Sequence, residues 1–328
     1  MKKLGILLIA MVLTFALFAE DGEVLPQGVF RFTNALSYNS TDKIFDKDGK
    51  SFDTNEVSVA SLSFGLEYGI VDWVSCGIQW APAWNFYSDV KVIDKTSPFK
   101  KVKVVPTGGW FTGAKFQILG EQGLVLSENM RFAVTTGLFI PASYSVKEQT
   151  KNAMKGDHFL YPCDCPAFMI GGRTHFDYIF PKFFDINLTT EFMKKLTIDA
   201  DKDLAASANN AMAAMNAPGV KAVKEVDYGY HYSLQLNPHF GMNLTDRVSF
   251  GLTTPLTYAY KSEVKWDDKK IYDSVKSFTA AFSTGISVDF LDATLPFELS
   301  LDYNMNVLGK NTSNSKLLTL TFTPYFAF

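Results

Sequence analysis

Apolar and polar residues alternate along this chain in runs too long for ordinary globular strands. Phe30, Phe32, Leu36 and Tyr38 alternate with Arg31, Thr33, Ala35 and Ser37; Met130, Phe132, Val134, Leu138 and Ile140 alternate with Arg131, Ala133, Thr135 and Gly137. Period two gives a strand one apolar and one polar face. Twelve such runs can be marked: 28–39, 55–69, 73–87, 107–119, 129–141, 165–179, 183–195, 228–241, 246–260, 276–290, 294–308 and 315–328. Globular strands usually span about 5–6 residues, whereas a tilted transmembrane strand needs about 9–11.

Composition narrows the choice. The 328 residues are 47% hydrophobic and 15% aromatic, with 20% charged and a formal net charge of −3. That is too apolar for disorder and too near neutral for nucleic-acid binding driven by charge. No run of about eighteen apolar residues follows the leader, which excludes a helical membrane protein. A soluble β-rich protein and a membrane β-barrel remain.

The leader favours export. Met1-Lys2-Lys3 precedes an uncharged apolar stretch, Leu4 to Ala19, and Glu20-Asp21 follow a plausible cleavage point. Residues 1–19 therefore read as a signal peptide and 20–328 as a single barrel domain. Loss of Lys2 and Lys3 takes the charge from −3 to −5. Cys76, Cys163 and Cys165 form no disulfide framework, and the Cys163–Cys165 step is too short for a relaxed disulfide.

Short turns, such as 69–72, 180–182, 243–245 and 291–293, alternate with long polar segments at 40–54, 88–106, 142–164, 196–227 and 261–275; the last connection, 309–314, is shorter. Outer-membrane barrels have short periplasmic turns and long outer loops. The expected fold is all-β: a transmembrane antiparallel β-barrel of about twelve strands with both termini periplasmic. Trp80, Trp84, Phe86, Trp110, Tyr228, Tyr230, Tyr258 and Tyr260 fall at the expected outer ends of runs, and Tyr68, Trp73, Tyr178, Phe180, Phe183, Phe290 and Phe297 at the inner ends, as interfacial girdles require. Helical spacing of Leu204, Ala208, Ala211, Met212 and Met215, with acids ahead and Pro218-Gly219 behind, predicts a helix in an outer loop at 199–219. It either caps the rim or folds into the mouth.

Leu318, Leu320, Phe322 and the closing Tyr325-Phe326-Ala327-Phe328 resemble the C-terminal recognition strand of bacterial outer-membrane β-barrels. That resemblance implies residence in the outer membrane, lipid around the wall, and delivery by the barrel-assembly machinery through the strand ending in Phe328. Leu25-Pro26-Gln27-Gly28 and the stretch Leu66 to Ile78 resemble, more loosely, the FadL-like and phenol-degradation-associated (MetA-pathway) transporter-like proteins. Long-chain fatty acid transporters have fourteen strands and an N-terminal hatch. Only about eight residues separate the expected cleavage point from the first run here, so no hatch is expected.

In a barrel the inward column sets selectivity. Parity places the positives Arg31, Lys115, Arg131 and Arg173 inward, with His175 and the negatives Glu67, Asp177, Asp185, Glu191, Asp289, Glu298 and Asp302. Two arrangements fit: opposed charged walls favouring polar or zwitterionic solutes, or pairing between neighbours, for which Arg173 and Glu191 are placed. Twelve strands lie between a filled barrel of about eight and an open channel of about sixteen. The small inward residues Gly65, Gly77, Gly113, Gly137, Gly171, Gly251 and Gly285 favour a narrow pore.

His231 with Asp227 is the nearest approach to a catalytic pair, and no positioned nucleophile accompanies it. No enzymatic activity, cofactor, metal site or nucleic-acid partner is expected. The expected function is passage of small polar or amphipathic solutes. The alternative is a surface-exposed structural or adhesin-type barrel whose loops bind partners.

Overall fold

The computed structural model describes residues 22–91, 101–142, 146–160, 166–180, 183–290, 292–293 and 295–327. Residues 1–19, read as a signal peptide, and Cys163, Cys165 and Phe328 lie outside them. Twelve antiparallel strands form the wall: β1 (Val29–Phe45), β2 (Ser51–Val71), β3 (Val74–Lys91), β4 (Trp110–Gly120), β5 (Met130–Ile140), β6 (Met169–Ile179), β7 (Phe184–Lys195), β8 (Tyr230–Asn243), β9, β10 (Val275–Phe290), β11 (Phe297–Lys310) and β12 (Lys316–Ala327). β9 is split into Val248–Thr253 and Leu256–Lys261 around Pro255, which has no amide hydrogen for the ladder. Each strand pairs with its sequence neighbours, and β12 pairs with β1 through rungs such as Leu36↔Leu320 and Ser37↔Thr319. The sheet closes, so no edge is left unpaired.

Burial runs opposite to that of a soluble core. On the inner face Lys115 (3%), Glu67 (4%) and Gln117 (1%) are nearly inaccessible, while on the outer face Phe192 (48%) and Leu301 (43%) stand exposed. Water-soluble chains seldom bury Lys and Glu while exposing Phe and Leu in register. Aromatic stacks band the outer surface at two levels: Trp80 on Trp110 (4.3 Å) toward the long loops, Phe30 on Tyr68 (4.3 Å) and Phe290 on Phe297 (4.6 Å) toward the short turns. Among the described residues no helix is long and apolar enough to cross a membrane.

Wall height is uneven. β1, β2 and β3 run 17, 21 and 18 residues, against 11 each in β4, β5 and β6. The segment expected as a loop at 40–54 is therefore mostly paired strand, turning at Asp46–Lys50. Its polar residues on both faces made it read as a loop, although two wet faces suit a hairpin rising beyond the greasy band. Asn314 clamps this extension to the β11–β12 connection, donating to Asp42 and accepting from the Asp42 and Lys43 amides (3.2 and 3.0 Å).

Above the shorter strands, helix α1 (Val146–Met154) and a separate four-stranded sheet stand at the long-loop end. Ile198–Asp199, Glu225–Asp227, Val264–Trp266 and Lys269–Tyr272 form that sheet, and α2 (Leu204–Ala214) packs on it through Ala206, against Ala167, Ala200 and Val226. Asp203 caps α2, accepting from the Ala206 amide at 2.7 Å. Tyr228, expected in the girdle, instead packs against this core and donates to Asp203. A pattern that marks strand ends cannot show that two long loops share a core.

Four consecutive strands place glycine on one inner rung: Gly77, Gly113, Gly137 and Gly171 are successive cross-strand partners. At Gly137 the need for glycine is direct. A Cβ there would meet Phe111 Cζ and the Thr112 carbonyl at 2.5 Å. The missing side chain lets the Phe111 ring lie flat against the wall.

Candidate functional site

The inner face of the barrel is the candidate site, and its first component comes from outside the sheet. Residues 22–28 run along the wall at the short-turn end as a strap. The Gly22 amide donates to Asp177 Oδ2 on β6 (2.8 Å), Gln117 Nε2 on β4 donates to the Gly22 carbonyl (2.8 Å), and Lys115 Nζ donates to the Glu23 carbonyl (3.0 Å). The Glu23 carboxylate lies 3.7 Å from Arg131 on β5. Val24 and Leu25 are buried, and the Gly28 amide returns to the Gly69 carbonyl (2.9 Å). Gly69 on β2 is required by contact: a Cβ would sit 2.0 Å from the Pro26 carbonyl oxygen and 2.6 Å from that of Leu25. The strap thus crosses the walls of β2 to β6. The chain ahead of the first strand runs along the inner wall, as a strap of a few residues and not as a hatch domain. Seven residues with no periodicity carry no signal of that course.

From the strap a polar chain climbs the wall between β6 and β7. Asp177 also accepts from Asn187 Nδ2; Asn187 Oδ1 accepts from Thr189 Oγ1 (2.9 Å), which meets His175 Nδ1 (3.4 Å). One rung higher Arg173 is ion-paired with Glu191, whose other oxygen lies 3.6 Å from His231 Nδ1 on β8. Above this sits an apolar cluster of Phe111, Phe139, Met169 and Met193, with the Arg173 guanidinium 6.0 Å from the Phe111 ring centre.

The remaining wall differs. On β10 and β11, Asp289 and Glu298 are direct cross-strand partners, and Asp302 faces Gly285. Ser300 Oγ donates to Asp302 (2.9 Å). Between β1 and β2, Arg31 is ion-paired with Glu67, which also accepts from Ser75 Oγ (2.5 Å). At the short-turn end His239 and Asp185 meet at 2.7 Å.

No protein-family model matches the chain, and no curated protein sequence matches it. Among solved structures, an outer membrane channel from Pseudomonas putida F1 is similar, with a TM-score of 0.63 at 11% identity over 93% of this chain and 98% of that one. The transport unit of the autotransporter AIDA-I from Escherichia coli (TM-score 0.45, 12% identity, 99% and 98% covered) and the Ralstonia pickettii toluene transporter TbuX (0.40, 8%, 93% and 90%) are more distant in shape. The fold is that of an outer-membrane β-barrel.

Within that barrel the twelve expected inner residues divide into three groups and Asp185, which meets His239 at 2.7 Å. Arg31 with Glu67, and Arg173 with Glu191, are matched across adjacent strands. Lys115, Arg131 and Asp177 hold the strap, and His175 joins it through the polar chain. Asp289, Glu298 and Asp302 stand together on β10 and β11. His231 faces Glu191 rather than Asp227, which pairs with Lys194 at 3.2 Å. The parity of β8 turns His231 inward, and Asp227 lies beyond that strand in the outer sheet. Among the described residues no group of three or more His, Cys, Asp or Glu is placed to hold a metal ion. Gln117, Glu23 and Asn187 carry no motif in the sequence, and Gly69 reads there only as part of a turn; their roles arise once the strap is in place.

Proposed function

We propose that the protein is an outer-membrane channel for small polar or amphipathic solutes, with its short-turn end and both termini facing the periplasm. One observation carries this reading: a closed twelve-stranded wall keeps a column of Lys, Arg, Asp, Glu, Ser, Thr and Asn on its inner face and presents Leu, Phe and Ile outside. A dry core would not repay the desolvation of that column, whereas a hydrated bore leaves much of it unpaid. The hydroxyl-rich inner faces of β10 to β12 favour room for water over a packed interior. The strap narrows the periplasmic mouth along β2 to β6, so solutes follow the wall of β7 to β12. Of the inner residues named above, Asp185, Glu191, Asp289, Glu298 and Asp302 lie on the strands of this route, and the others face it from β1 to β6. Planar-bilayer recording on the refolded mature protein tests the proposal: discrete conductance steps, with flux of small solutes into liposomes, are expected. A correctly refolded barrel that passes neither ions nor solutes would overturn it and leave the loop-binding alternative.

A further inference from the structure

We propose that this bore discriminates by charge, passing cationic solutes in preference to anionic ones, and that Asp289, Glu298 and Asp302 set the preference. The inference rests on the channel reading above. It follows from how the inner charges are matched. Arg31 is bonded to Glu67 and Arg173 to Glu191; Arg131 lies 3.7 Å from Glu23 and 3.9 Å from Glu121; Lys115 donates to the Glu23 carbonyl. Each of these four cations is thus engaged by the wall or by the strap. For Asp289, Glu298 and Asp302 no ion pair within 4.0 Å exists among the described residues, and Arg31, the cation acting on Glu298, is already bonded to Glu67.

The placement of the three acids argues for a role beyond filling. Asp289 and Glu298 face one another in register, an arrangement of like charges that costs a sheet stability. Four residues separate Glu298 from Asp302, roughly 13 Å along the strand, so the acids reach from the short-turn end toward mid-depth. Asp302 lies over Gly285, where a Cβ would come within 2.1 Å of its Oδ1. The missing side chain lets that carboxylate lie along the wall instead of blocking the bore. The opposed-wall field that parity suggested is therefore one-sided, because its positive half is neutralised in place. One carboxylate about 6 Å from a permeating ion across water raises cation occupancy roughly threefold and lowers anion occupancy by about the same factor, before screening by salt.

The test is the reversal potential of the full mature chain across a KCl gradient, for the wild type and for the isosteric triple variant D289N/E298Q/D302N. The wild type is expected to prefer potassium several-fold and the triple variant to lose most of that preference while still conducting. A wild type without cation preference, or a triple variant that keeps it, would overturn the inference. Should the variant fail to fold, the wild type decides alone. Its preference is expected to collapse between about 0.1 M and about 1 M salt, as the screening length falls from roughly 10 to 3 Å. A preference unchanged by salt would overturn the assignment to wall charges. Absence of any current overturns the channel reading, and this inference with it; current without discrimination overturns this inference alone.

Discussion

The walls on the two sides of the bore treat charge differently. From β2 to β6 the acids and bases are interleaved, and a strap of backbone amides, carbonyls and the Glu23 carboxylate is laid over them. On β10 and β11 three carboxylates stand among Ser, Thr and Asn, and among the described residues no cation is ion-paired with them. The first arrangement fixes structure, since each buried charge is useful only while its partner stays. The second leaves charge available to whatever passes. An inner column that looks uniform in sequence thus divides into a wall that holds a plug and a wall that can act on solute.

The contrast can be broken from its strap side, and removing the strap should have the largest effect. Deletion of residues 22–27 is expected to raise single-channel conductance several-fold, since the narrowing of the mouth leaves with it; recordings at unchanged conductance would refute the strap's place in the path. Gly69→Ala should approach the same result by a single methyl group. Its Cβ cannot share space with the Pro26 and Leu25 carbonyl oxygens, so the strap has to lift while the strand itself tolerates alanine. Smaller again is Asp177→Asn. It removes the charge and turns one of the two carboxylate oxygens, which accept from the Gly22 amide and from Asn187, into an amide donor; a charge-assisted bond of about 1.5–3 kcal/mol is lost, which should appear as longer or more frequent open periods rather than a larger step. Smallest is Asp203→Ala, which removes the cap of α2 and about 1 kcal/mol from the outer sheet unit. Faster proteolysis of the 196–227 segment with unchanged current is expected; a changed current would bring that unit into the conduction path.

Much of the barrel was legible because strand parity is a local property. Arg31 and Glu67, or Arg173 and Glu191, needed only alternation and strand order to be set facing the same bore. What escaped depends on contacts distant in sequence. Gly22 meets Asp177 across 155 positions, and no pattern in Glu23-Val24-Leu25 distinguishes a strap inside the bore from a tail outside it. The rise of β1 and β2 beyond the apolar band was hidden because Lys43, Asp46 and Asp48 resemble a loop wherever both faces of a sheet are wet. Tyr228 was misplaced for a related reason: an aromatic residue at a strand end serves a girdle or a small core equally well, and only the fold of the neighbouring loops decides.

Two-sidedness of the wall underlies the whole account, and cysteine accessibility in lipid vesicles measures it directly. In a background with Cys76, Cys163 and Cys165 replaced, single cysteines would be placed in turn at Leu36, Ser37, Leu320 and Thr321 on the neighbouring strands β1 and β12, where Leu36 and Leu320 are direct partners. Ser37 and Thr321 are expected to react with a water-soluble thiol reagent, and Leu36 and Leu320 only with a lipid-soluble one. Reaction of the leucine positions with the water-soluble reagent, or equal reaction at all four, would contradict a greasy wall around a wet bore.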